Sequence, residues 1–392
     1  MKKLLQNLDR ESWIGKHCET TAIKRVLDYY GFSFSEEFLF GLSGGIGFIY
    51  WYTKQMNSPF IGTKNKTKKG TIKEVCEKLN LEVWVKETQS TKRARQWMKD
   101  SIKLNIPVIV NVDLAMLHYT GVPPKAHFGG HAVAVMGYDE EKNRVYIFDR
   151  GKKMVSEDEE DFEKARNSTF QPFPPKNRIY MIQPPVGKVH SYERYVGEDI
   201  IYSSIKESLV EMRYPEIKNK GLSGFDVWSS RMKKWSDIFE GKDFLGCLMS
   251  LYTNIIIGGT GGDAFRSMYA QFLYEAAELT AKDRLRDAAA IYKISGNKWR
   301  EIADLALSDE YLHLKQLKDI MVMKNKIFED ASLGAVKKMQ DLQKQEESII
   351  EMAAKEAVQN KKQIIYSLCQ QVKILKMIEQ EALARLEDYL DT

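Results

Sequence analysis

The residues best suited to chemistry lie at three places in the first half of the chain. G-K-H-C-E-T-T-A, residues 15 to 22, sets Cys18 where a loop turns into a helix. Unpaired backbone N–H groups and the positive end of the helix dipole stabilise a thiolate at such a point, and the thiolate is the nucleophile. The same N–H groups can hold a developing oxyanion. F-G-G-H-A-V-A-V-M-G-Y-D puts His131 at the head of an apolar strand, behind Gly129 and Gly130, which let backbone or substrate come close. R-V-Y-I-F-D ends on Asp149, 18 residues after His131. Two antiparallel strands joined by E-E-K-N bring these strand ends together. Asp149 is then expected to reach the far nitrogen of His131, fix its tautomer and stabilise its cation. Taken singly, these are a buried cysteine, a hydrogen-bonded histidine and a turn aspartate. Their order on helix, strand and next strand is what points to nucleophilic catalysis.

The elements that must position them can be read from periodicity. T-T-A-I-K-R-V-L-D-Y-Y places Ala22, Val26 and Tyr29/Tyr30 on one helix face, and Gly31 can close it. A second helix begins at Thr71 behind Gly70, with Ile72, Val75, Cys76 and Leu79 as its apolar face, and a third runs from about Arg93 to Leu104. P-V-I-V-N-V-D, H-A-V-A-V-M-G-Y-D, R-V-Y-I-F-D and I-Y-M-I-Q-P-P read as strands. Residues 1–190 therefore form a mixed α/β lobe, and P-P-V-G-K-V-H-S-Y, residues 184 to 192, is the expected boundary. From Glu198 onward the pattern is helical, giving a helical domain over 191–310 and a helical hairpin over 311–392, broken near Gln359 to Lys362. The tail's apolar spacing also suits a dimer seam, so self-association through it is expected.

Hydrophobic residues at 43% of 392 can fill a large core, which excludes global disorder. A net charge of +5 is too small for a nucleic-acid-binding domain. Four cysteines, Cys18, Cys76, Cys247 and Cys369, show no C-x-x-C pair, so neither a disulfide framework nor a zinc site is expected. Phe244 to Ile257 is apolar but too short to span a bilayer and includes Asn254; it reads as a buried helix. With no secretion signal and no span, a cytoplasmic protein with no membrane partner is expected. Basic residues gather at Lys64, Lys66, Lys68 and Lys69 and at Lys92, Arg93, Arg95, Lys99 and Lys103. They are read either as solvated faces or as a dock for an acidic partner.

G-K-H-C-E-T-T-A followed by S-E-E, F-G-L and G-I-G-F-I-Y, then F-G-G-H-A-V-A-V-M-G-Y-D and F-D-R, resembles the amino-terminal domain of the butirosin biosynthesis protein H family. I-G-G-T-G-G-D-A-F-R-S-M-Y-A-Q-F-L-Y-E-A-A is similar to that family's helical second domain, so the likeness covers roughly residues 10 to 310. It implies an α+β protein: a papain-like, C39-peptidase-like first domain, then an all-α domain. It also implies a nucleophile Cys18, a base His131 and an orienting acid Asp149. The implied reaction is acyl transfer from a carrier-protein thioester to a small-molecule amine, without a cofactor or metal. A peptidase or amidase using the same triad, and a non-catalytic carrier-binding scaffold, remain open alternatives.

Papain-like peptidases place a glutamine before the cysteine; here the stretch reads E-S-W-I-G-K-H. The side-chain oxyanion donor is therefore unassigned, with Ser12 and His17 as weak candidates and the Cys18 N–H as the safer one. His17 and Gly130 are carried as substrate contacts. The glycine-rich G-G-T-G-G-D-A-F-R has two readings. Gly261 and Gly262 could let backbone approach a substrate, with Asp263 or Arg266 touching a polar group. Alternatively, it is a helix-to-helix turn with Arg266 in an ion pair. It lacks the Lys-Ser/Thr of a phosphate-binding loop.

Overall fold

Strands and helices alternate through residue 182, and only helices follow Glu198 among the described residues. The computed structural model describes residues 2–5, 13–123, 125–183, 196–330 and 335–390. Ser12 and the expected boundary at 184–192 lie outside them. The strands are β1 (Lys2–Leu4), β2 (Ile46–Trp51), β3 (Phe60–Lys64), β4 (Val83–Lys86), β5 (Val108–Val112), β6 (His131–Asp139), β7 (Arg144–Phe148), β8 (Val155–Asp158) and β9 (Ile179–Ile182). The first helices are α1 (Cys18–Tyr29), α2 (Glu36–Leu42), α3 (Thr71–Lys78), α4 (Thr91–Lys103) and α5 (Glu159–Arg166). Then come α6 (Glu198–Arg213), α7 (Gly221–Met232), α8 (Trp235–Ile238), α9 (Gly241–Tyr252), α10 (Arg266–Thr280) and α11 (Arg284–Ala306). The last are α12 (Leu312–Asp330), α13 (Ala335–Gln359) and α14 (Lys361–Leu390). The fold class is α+β, as expected.

The chain divides into two compact units, each assembled from separated stretches. One holds Met1–Leu39, Lys69–Val196 and Lys324–Leu342; the other holds Phe40–Lys68, Gly197–Met323 and Gln343–Thr392.

The first unit is built on an antiparallel sheet in the order β4-β9-β5-β6-β7-β8, with β1 pairing β6 as well. All nine residues of β6 are buried. That is why H-A-V-A-V-M-G-Y-D runs apolar without the alternation of a half-exposed strand. Helix α1 packs on β5 and β6. Its inner residues Ala22, Ile23, Val26 and Leu27 are buried, and Gly31 takes a left-handed φ of 91° just past its end. Helix α4 is capped by Ser90, whose Oγ accepts from Arg93 N–H at 3.2 Å.

In the second unit, the β2–β3 hairpin packs with the helices α6, α7 and α9. Rings of Phe48, Phe225, Trp228 and Trp299 form the aromatic centre of that unit, with Trp228 and Trp299 stacked at 5.6 Å. Helix α9 runs into a π turn at Thr253–Ile257, and Phe244, Leu248 and Leu251 are buried. Helix α14 lies against α6, α7 and α11, burying Leu368, Val372, Leu375 and Leu383. In the preceding tail helices, Leu317, Met321, Phe328, Met339, Leu342 and Ala353 are buried as well. Among the described residues, no helix is long and apolar enough to cross a membrane.

Candidate active site

Cys18 is the first residue of α1, so its N–H is one of the donors a helix cannot satisfy internally. His17 is the N-cap, with extended backbone, and its Nδ1 accepts from Thr20 N–H at 3.4 Å. The thiol of Cys18 is half-buried, whereas Cys76, Cys247 and Cys369 are buried. Burial pushes the Cys76 and Cys247 thiols up to about 12, and raises Cys369 as well. These three stay protonated thiols in the core, as their helix-face spacing suggested.

A buried carboxylate holds the cysteine loop in place. Glu36 accepts from the backbone N–H groups of Lys16 and His17, both at 2.9 Å, and from the hydroxyls of Thr20 at 2.9 Å and Thr21 at 3.0 Å. Burial raises its pKa against the pull of these four hydrogen bonds. The Lys16 and His17 N–H groups are thereby committed, which makes them poor oxyanion donors and leaves that role to the Cys18 N–H. Glu36→Ala would strip acceptors from four donors at once. We expect it to lower stability by about 3 kcal/mol, since each buried unsatisfied group costs about 1–3 kcal/mol. Urea unfolding of Glu36→Ala beside Glu36→Gln checks this. An alanine variant as stable as wild type would contradict it.

Further along α1, Arg25 ties the cysteine segment to the strand end that carries Asp149. Its guanidinium lies 4.0 Å from the Trp13 ring centre and 4.3 Å from that of Phe148. It donates to the carbonyls of Trp13 at 3.0 Å and Gly151 at 3.3 Å, and Gly15 N–H donates to the Arg150 carbonyl at 2.7 Å. A Cβ at Gly15 would collide with the Thr21 side chain, so only glycine lets this segment approach α1.

His131 heads β6 and is 4% exposed. Its Nε2 sits 2.9 and 2.8 Å from the two oxygens of Asp149. Cys18 lies near enough to this ring to favour its charged form, and the Nε2 contact leaves Nδ1 clear of Asp149. Burial opposes the imidazolium, but the charge and hydrogen bond of Asp149, with a smaller contribution from Cys18, raise the His131 pKa to about 10. Burial likewise opposes the Asp149 carboxylate, and the His131 cation, Arg150 and Tyr119 outweigh it, so its pKa is lowered. Asp149 also accepts from Tyr119 Oη at 2.8 Å and from Arg150 N–H at 2.7 Å. Burial and the neighbouring Asp149 raise the Tyr119 phenol well above its usual value, so it stays a donor.

His131 and Asp149 are thus hydrogen-bonded, with Cys18 near the ring and Gly130 adjoining His131. Tyr119, Glu36 and Arg25 join them without having been singled out from sequence. Glu36 stands within the S-E-E string, but nothing in its spacing marked it as the anchor of a loop 16 to 20 residues earlier.

The glycine-rich segment belongs to the other unit. Gly261 and Gly262 take left-handed φ values of 71° and 86°, followed by Ala264 at 54° and Phe265 at 69°. Asp263 is fully buried and accepts from Arg300 Nη1 at 2.8 Å and from the Ser267 N–H and hydroxyl. Arg266 is fully buried too, with all three guanidinium nitrogens engaged. Nε and Nη2 donate to Glu379, Nη1 to the carbonyls of Thr63 and Ala264, and Nη2 also to Gly47. Its geometry is that of the ion pair rather than of a residue offered to a ligand. The basic face of α4 is similarly occupied: Arg95 pairs with Glu163 and Glu159, and Lys99 with Glu159 and Glu140.

No curated protein matches the chain. Residues 160–352 match the family model described as a domain of unknown function (DUF4872). Residues 17–150, which run from the histidine before Cys18 to the residue after Asp149, match the family model described as butirosin biosynthesis protein H, N-terminal.

Proposed function

We propose that the protein is a cysteine-dependent acyltransferase of antibiotic biosynthesis, taking an acyl group from a carrier-protein thioester onto Cys18 and passing it to an amine. The observation that carries this is a buried His131 whose Nε2 is clasped by Asp149, with Cys18, the first residue of α1, near its ring. The family description, which names butirosin biosynthesis, supports the setting.

With its pKa raised to about 10, His131 is an imidazolium at neutral pH, next to the sulfur. The Cys18 thiolate attacks the thioester carbon, and the carbonyl oxygen becomes an oxyanion facing the Cys18 N–H. Collapse breaks the bond to the carrier sulfur, which leaves with the proton from His131. The acyl-enzyme remains beside a neutral imidazole. An amine then attacks the acyl carbon and gives its proton to His131, and expulsion of the Cys18 thiolate restores the starting ion pair. Thioester exchange is nearly balanced, and amide formation makes the sequence run downhill. Asp149 and Tyr119 do not touch the substrate; they hold the ring's orientation.

Water in place of the amine would give hydrolysis by the same groups. The product formed from an N-acetylcysteamine acyl thioester, with and without added small amines, tests the proposal. Amide should replace free acid as amine concentration rises. Free acid alone at every amine concentration would contradict transfer and favour a hydrolase.

A further inference from the structure

We infer that the surface made by Phe128, Phe170 and Phe173 binds the apolar acyl group of the thioester donor, an inference that rests on the acyl-transfer reading. Three of the four exposed phenylalanines among the described residues lie on this surface, at 44%, 48% and 46% exposure. They form two ring pairs. Phe170 stacks on His127 with centroids 3.4 Å apart, and Phe173 meets Phe128 edge-on at 5.8 Å. The Phe128 ring folds back over Gly130, where an added Cβ would lie 3.1 Å from it, so the surface begins one residue before His131. At most about 10 Å of extended chain separates Phe128 from His131. A medium-length acyl chain is about as long, so one whose carbonyl lies beside His131 would reach the rings.

The surface is also held in shape. Buried Asp113 accepts from Ser168 Oγ at 2.6 Å, His127 Nδ1 at 2.9 Å, Phe128 N–H at 3.1 Å and Ala115 N–H at 3.2 Å. One carboxylate therefore fixes both segments that bear the rings. A Cβ at Gly129 would collide with the Phe173 carbonyl, so the two segments touch through backbone there. Rigid exposed rings suit binding because little ordering entropy is lost. Residues 114–130 and 167–177 contain Lys125 and Lys176 but no Asp or Glu. The Asp113 carboxylate that joins the segments is fully buried and already engaged, so the ring surface offers an apolar face.

The test measures the rate at which Cys18 is acylated by acetyl and octanoyl N-acetylcysteamine thioesters, followed by intact mass. Wild type should prefer octanoyl by at least about tenfold, the scale of discrimination that apolar contacts provide. Phe170→Ala/Phe173→Ala, confirmed folded by circular dichroism, should lower that ratio by about tenfold, and Phe170→Leu/Phe173→Leu should restore part of it. A wild type indifferent to chain length, or a ratio that the alanine variant leaves unchanged, would overturn the inference. So would a carrier-loaded substrate slowed equally for every acyl length, because that marks the surface as a carrier dock. If neither thioester labels Cys18, the acyl-transfer reading fails and this inference falls with it.

Discussion

Asp149→Asn is expected to slow acylation of Cys18 by about 10³- to 10⁴-fold while leaving the fold intact. An asparagine can keep the shape of the contact with His131 Nε2, 2.8 Å away, but it cannot hold the imidazolium or fix the productive tautomer. The variant should also show a changed pH profile. The His131 pKa is raised to about 10 in the folded protein from an ordinary 6.5, chiefly by Asp149 acting against burial. Without that carboxylate, the alkaline limit of acylation should move down by pH units, because the proton needed by the leaving thiol is lost earlier.

Stability should follow the same pair. A raised histidine contributes stability fully below pH about 6.5 and loses it as pH climbs through about 10. A lowered aspartate contributes above its unfolded value near 3.8 and loses it as pH falls through its folded one. The gap in urea midpoint between wild type and Asp149→Asn should therefore be widest between about pH 4 and 6.5 and shrink toward pH 10. An alkaline limit unchanged in the variant would contradict this role for Asp149.

The largest effect on stability is expected at Glu379. Its carboxylate is fully buried and accepts from Arg266 Nε at 2.8 Å, Ser295 Oγ at 2.5 Å and Trp299 Nε1 at 3.3 Å. Glu379→Ala leaves the Arg266 guanidinium buried without its counter-charge, which costs about 3–5 kcal/mol. Replacing both partners by apolar residues removes the stranded charge, so Glu379→Leu/Arg266→Met should be more stable than Glu379→Leu or Arg266→Met alone. Urea unfolding of the four proteins reads this directly. Single changes whose effects simply add would show that the pair is not coupled.

The contrast between these two sites reflects what sequence can carry. The His131–Asp149 contact and the place of Cys18 at a helix start were legible because each residue sits at the end of an element whose periodicity is plain, and the short E-E-K-N connection forces β6 and β7 to lie side by side. Tyr119 was not, because it lies on an irregular turn, His118–Thr120, where no period announces a direction. Arg266 was open to two readings, since its partner Glu379 lies 113 residues away on a helix read only as a charged tail. The β2–β3 hairpin was missed for a related reason. I-G-F-I-Y-W is apolar along most of its length, packing in the helical unit buries it, and no alternation marks it as a strand. The short strands β1, β4 and β8 are three or four residues long, below the length at which a pattern becomes readable.

In acyl transfer by this site, the sulfur of Cys18 is the atom that takes up the acyl group. Intact-mass measurement after mixing with an acyl thioester, followed by peptide mapping, tests this most directly. Wild type should gain one acyl mass, mapped to the peptide containing Cys18, and Cys18→Ala should gain none. Equal labelling of the two proteins, or an acyl group found on Cys76, Cys247 or Cys369 instead, would contradict it.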